Sequence, residues 1–124
     1  MVPMKTRRAL SMLALPIVAA IAITSCAGAP PSGDKFAGAV SDSGLSRLRQ
    51  CESGGNYGAV NPSGSYRGAY QFSRTTWNSV ARRHYPHLSG VDPAAAAPWE
   101  QDRMARALWA TAGRGQWPHC GKRV

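Results

Sequence analysis

The segment Cys51-Glu52-Ser53-Gly54-Gly55-Asn56-Tyr57 sets a carboxylate beside a cysteine and follows it with two glycines. Glycine admits backbone angles and close approaches that other residues resist, as the floor of a reactive site often requires. A Glu at the negative end of a helix dipole and among aromatic residues holds its proton closer to neutral pH than a solvated one does. A protonated carboxylic acid is the group that glycosidic cleavage requires. Taken alone, Glu52 is more simply a partly exposed residue that closes a helix. The residues around it must decide.

Tyr57, Tyr66, Tyr70 and Trp77 have ring faces that could stack on sugars, while Asn56, Gln71 and Thr76 could bond hydroxyl or acetamide groups. Phe72 and Trp77 are also expected to pack the core, because they lie on the buried side of a helix start. His84, His87 and His119 are most simply surface or packing residues. No Asp or Glu stands between residues 56 and 91, and Asp92, Glu100 and Asp102 fit helix starts. Glu52 therefore has no obvious partner acid. Arg47 and Arg49 are expected to extend away from it, being offset around the helix.

The elements that must hold these groups are legible from caps and breakers. Asp42 or Ser43 caps a helix with Leu45 and Leu48 on one face, and Gly54-Gly55 stops it. Asn61-Pro62-Ser63-Gly64, between Tyr- and Gly-rich flanks, predicts a short irregular hairpin. Ser73 caps a second helix that carries Trp77, Val80, Ala81 and His84 and ends before Pro86. Asp92-Pro93 predicts another start, into residues 94–97. A longest helix from about Pro98 has Met104, Ala105, Leu108, Trp109 and Ala112 as its apolar face before Gly113. The fold class expected is α+β, mostly helical.

Gly68-Ala69-Tyr70-Gln71-Phe72, Thr76-Trp77 and Trp117-Pro118-His119-Cys120, joined to the Cys-Glu segment, make four dispersed blocks over about residues 45–121. Together they resemble the resuscitation-promoting-factor family of lysozyme-like transglycosylase domains. The resemblance implies a small lysozyme-like fold with a cleft for peptidoglycan glycan, Glu52 as catalytic acid, and a disulfide between Cys51 and Cys120. It implies no second acid. A lone Glu52, acting first as acid and then as base, suits a transglycosylase in which the sugar's own C6 hydroxyl attacks. The sequence departs from the family at Tyr57, where many members carry Trp, and at Ala112, where members often carry a cleft-lining Gln. Its connection from His84 to Trp99 is also longer than usual.

The first residues place this unit in its setting. Lys5, Arg7 and Arg8 precede an uncharged run over residues 9–23, the order of an export signal and too short for an ordinary span of about 20 residues. The run ends in Ile23-Thr24-Ser25-Cys26, which resembles a bacterial lipobox and implies lipidation of Cys26. The expected organisation is a signal peptide over residues 1–25, a flexible tether over 26–43, and the domain over 44–124. With Cys26 assigned to lipid, two of the three cysteines remain, and in an exported domain they suggest one disulfide. Zinc held by Cys51, Cys120, His84 and His87 is the rival use, weakened by the absence of close cysteine pairs.

From Gly44 onward eleven basic side chains face four acidic ones, leaving the domain at +7. Such a field attracts the carboxylate- and phosphate-bearing polymers of a cell wall. Nucleic acid binding lacks a reader motif and conflicts with export. The expected partner is peptidoglycan glycan, with a wall endopeptidase as a further candidate, membrane contact through the lipid alone, and a monomeric state. No cofactor or metal is expected. The alternative is a peptidoglycan-binding or signalling module with little turnover.

Overall fold

The structure, a computed structural model, describes residues 33–124. The expected signal peptide and the lipidated Cys26 lie outside the described residues. Three helices make the frame: α1 (Asp42–Ser53), α2 (Arg74–His84) and α3 (Pro98–Ala112). Short 3-10 turns follow α2 at Pro86–Leu88 and α3 at Arg114–Gln116 and Cys120–Arg123. The chain between α1 and α2 forms an irregular hairpin with isolated bridges from Arg67 to Val60 and to Phe72. This is the mostly helical, single-disulfide unit expected, consistent with a lysozyme-like fold.

Each helix ends where its sequence punctuates it. The Ser73 hydroxyl accepts the Thr76 N–H at 3.1 Å, satisfying a donor that the first turn of α2 leaves free. Gly54 takes the left-handed conformation at φ 66°, and the N–H groups of Gly54 and Gly55 turn back onto the carbonyls of Gln50 and Arg49. At the start of α3 the Glu100 carboxylate accepts the Ala97 N–H at 3.1 Å, while Pro98 fills a position whose own donor would go unused.

Two boundaries differ from expectation. The cap of α1 is Ser41, which accepts the Gly44 N–H at 3.0 Å, and Asp42 is already helical. The folded part also starts before residue 44. Val40 is 4% exposed, Phe36 sets its ring edge on His84 at 5.0 Å, and the Asp34 carboxylate accepts from Tyr85 at 3.1 Å. Two large apolar residues anchor a stretch otherwise made of small ones, so the described end of the expected tether is part of the domain. Residues 94–97 form a single turn instead of a helix. Pro98 forces the residue before it out of the helical region, and Ala97 sits at ψ 148°.

The core brings Leu45 and Leu48 of α1, Trp77 and Val80 of α2, and Met104 and Leu108 of α3 onto Tyr70, Phe72 and Trp117. Phe72 meets Trp77 and Trp117 edge-on, at 5.3 and 6.1 Å between centroids. The longer connection after His84 closes over this core: the Trp77 indole N–H donates to the Leu88 carbonyl at 2.9 Å. Cys51 and Cys120 are bonded as a disulfide, which ties the last turn of α1 to the end of the chain and leaves neither sulfur for zinc.

Candidate active site

Glu52 lies in the last turn of α1, where the two glycines that follow carry the chain away and leave its side chain half-buried beside the disulfide. It opens onto a groove of about 340 Å³, shared with Tyr66 and Gln71 on the hairpin side and with Gln116, Trp117 and His119 on the other. Burial pushes its carboxyl above the ordinary value, and the charge of His119 pulls it partly back. Arg47 and Arg49 are turned elsewhere, as their offset on the helix predicts. Arg47 donates to the Arg123 carbonyl at 2.7 Å, and Arg49 to the Tyr70 hydroxyl at 2.9 Å.

The other described carboxylates are all engaged. Asp92 is held by both nitrogens of the Arg67 fork at 2.7 and 2.6 Å, which keeps it down at about 2. Glu100 caps α3, and Asp34 and Asp42 both meet Arg106. Asp102, expected at a helix start, accepts from the Tyr70 and Tyr57 hydroxyls at 2.5 and 2.8 Å and from Arg49 at 3.3 Å. Burial first, and then these bonds to Asp102, push Tyr57 up to about 12 and Tyr70 upward as well. Among the described Asp and Glu side chains Glu52 alone has no hydrogen bond or ion pair to its carboxylate.

Of the seven expected substrate contacts, the structure brings three into the groove. Tyr66, 51% exposed, and Gln71 line it beside Glu52, and Thr76 lines the smaller hollow that continues from them. Gln71 is held at φ 53°, a left-handed conformation unusual for a residue with a side chain, and its amide donates to the Gly68 carbonyl at 2.9 Å. Tyr70 and Trp77 are corrections: both are fully buried and offer no face to a sugar. Tyr70 serves as a core ring whose hydroxyl feeds Asp102. Tyr57 is half-buried with its hydroxyl committed to the same carboxylate, and Asn56 turns back to accept the Gly58 N–H at 2.9 Å. Neither lines the groove at Glu52.

Gln116 and His119 are groove residues that sequence reasoning left without a role. The signal was present in the cysteines. Once Cys120 is bonded to Cys51, residues just before it must come beside Glu52. Gln116 reaches the groove from the turn after α3, while Ala112, where a cleft-lining Gln was the family expectation, does not line it.

A family model for the transglycosylase-like domain matches residues 39–120. The chain belongs to the transglycosylase-like domain family. The probable transglycosylases SceD of Staphylococcus epidermidis and Staphylococcus haemolyticus are each 46% identical over 76 residues, covering 61% of this chain and 33% and 31% of theirs. The probable transglycosylase SceD of Staphylococcus aureus strain Newman is 47% identical over 73 residues, 59% of this chain and 30% of its own. The chain thus spans about a third of the length of these relatives.

Proposed function

We propose that this transglycosylase-like domain cleaves the β-1,4 backbone of bacterial peptidoglycan between N-acetylmuramic acid and N-acetylglucosamine, with Glu52 as its sole acid and base. The observation that carries this reading is the groove itself, which contains one carboxylate, unpartnered and with its hold on a proton strengthened by burial. Protonated Glu52 gives its proton to the glycosidic oxygen as the bond to C1 breaks, and the leaving sugar departs with a hydroxyl. The Glu52 carboxylate then takes the proton of the C6 hydroxyl on the remaining sugar, whose oxygen closes on C1 to form an anhydro ring. Acid and base are restored without water. Retaining and inverting hydrolases place a second carboxylate about 5–9.5 Å from the first. No other acid lines the groove, and Asp92, the next candidate, is locked to Arg67.

In this reading residues 1–25 are an export signal, Cys26 is lipidated, and the domain acts outside the membrane in wall remodelling or growth, in the manner of resuscitation-promoting factors. A wall endopeptidase acting on the same polymer is a fitting partner. The test is the chemistry of the ends made from purified peptidoglycan. Wild-type protein is expected to yield anhydro-muramyl ends by mass spectrometry. Glu52→Gln should keep binding to strands and lose product by at least about 100-fold, the usual size of a general-acid contribution. Reducing ends would make the enzyme a hydrolase, and undiminished cleavage by Glu52→Gln would move the acid elsewhere.

A further inference from the structure

The groove does not end at Gln71. Through Gln116, which lines every part of it, and through Thr76 and Leu108, it opens into a basin of about 330 Å³ between α2 and α3. The chemistry changes there. The basin holds no acid, the α2 side contributes the exposed hydroxyls of Thr75 and Ser79, and Arg83 stands at its wall. Arg49, Arg67 and Arg106 are each held by an Asp, but no described carboxylate lies within ion-pair distance of Arg83. Burial, and then the charges of Lys35 and Arg83, push the neighbouring His84 below its ordinary value, so two cations stand close to this side of the basin.

We propose that this basin takes a carboxylate of the peptide stem that branches from the strand held at Glu52, with Arg83 as its charge partner and Thr75 and Ser79 as neutral donors. The inference rests on the glycan-cleavage reading. Shared lining residues favour an anion tethered to the substrate, because Gln116 borders both the groove at Glu52 and the basin that Arg83 lines. The planar guanidinium fork matches a carboxylate at two points. Phosphate polymers of the wall carry the same sign, and the planar two-point match of guanidinium to carboxylate favours the stem over them.

The experiment uses soluble stem-bearing strands, intact or with their carboxylates coupled by carbodiimide to methylamine, which keeps length and glycan unchanged. Arg83→Gln is expected to raise KM on intact strands about two- to fivefold, the upper part of the range for a solvent-exposed charge pair, with kcat nearly unchanged and with no effect on coupled strands. Arg83→Lys should recover part of the loss. Arg82→Gln removes the same charge from an exposed residue one position away that does not line the basin, and should leave KM unaltered. An equal rise on both substrates, or the same rise in Arg82→Gln, would assign the effect to the general basic surface and overturn the proposal. So would poly(glycerol phosphate) that competes with coupled strands only when Arg83 is present, which would give the basin to phosphate polymers. A wild-type protein that cleaves neither substrate defeats the glycan-cleavage reading itself, whereas one that cleaves both with the same KM defeats only the stem site.

Discussion

Burial and His119 act on Glu52 with opposite signs, and burial is the larger. Because the folded protein holds this proton more tightly than the unfolded chain does, the associated stability is present below the ordinary carboxylate range and fades as pH rises through the raised pKa. An acid that works protonated loses activity over the same interval. The basic limb of kcat/KM is therefore expected above the pH at which a solvated glutamate titrates. His119→Ala, which removes an exposed imidazole whose charge favours the carboxylate, should move that limb to higher pH. A limb that stays in place or moves down would mean it reports another group. Glu52 stood out as a candidate because its neighbours free the backbone and bring rings near it. Tyr70 and Trp77 were not, since an aromatic residue near an acid has the same type whether it faces sugar or core, and only burial separates the two.

At the scale of elements, the site is positioned by a side chain that drew no attention in the sequence. Gln101 stands between Glu100 and Asp102 and has the look of a solvated helix face, yet it is 1% exposed. Its amide oxygen accepts the Ala69 N–H at 2.8 Å, and its nitrogen donates to the carbonyls of Ala96 and Tyr57 at 2.9 and 3.0 Å. One residue of α3 thereby pins the turn that presents Gln71 and the loop that follows Glu52. Gly68 makes room for it. At φ 81°, a Cβ there would lie 2.6 Å from the Gln101 oxygen and 3.0 Å from the Pro93 carbonyl. Gly68→Ala is expected to destabilise by at least about 1–2 kcal/mol from the left-handed angle alone. Urea denaturation should show the loss, and glycan cleavage should fall with it as the Gln71 turn shifts. A stability within about 0.5 kcal/mol of wild type, as for an ordinary surface change, would contradict this role. Helix ends were readable because Ser73, Gly54-Gly55 and Pro98 act through local backbone chemistry. The turn at 94–97 was not, because a run of alanines favours a helix until the proline after it intervenes.

Across the whole molecule the disulfide joins positions 69 residues apart, a closure that removes about 4 kcal/mol of chain entropy from the unfolded state in the loop model. Reduction is expected to lower stability by about 2–5 kcal/mol. It should also cut activity before the helices melt, because Cys51 adjoins Glu52 and Cys120 adjoins His119, so both sides of the groove are loosened together. Activity and far-UV circular dichroism followed with and without reductant separate these effects, and cleavage that survives reduction undiminished would speak against the coupling. The cysteine pairing was visible in composition and family pattern. The packing of residues 34–40 was not, because it depends on partners such as Tyr85 and Arg106 that lie about fifty or more positions away. Chain topology adds a consequence for durability among proteases. Glu52, Tyr66, Gln71, Gln116, Trp117 and His119 all lie between the bonded cysteines, inside one covalent ring. A single peptide-bond cut anywhere in that ring opens the backbone yet releases no fragment, so every groove residue stays attached to one molecule.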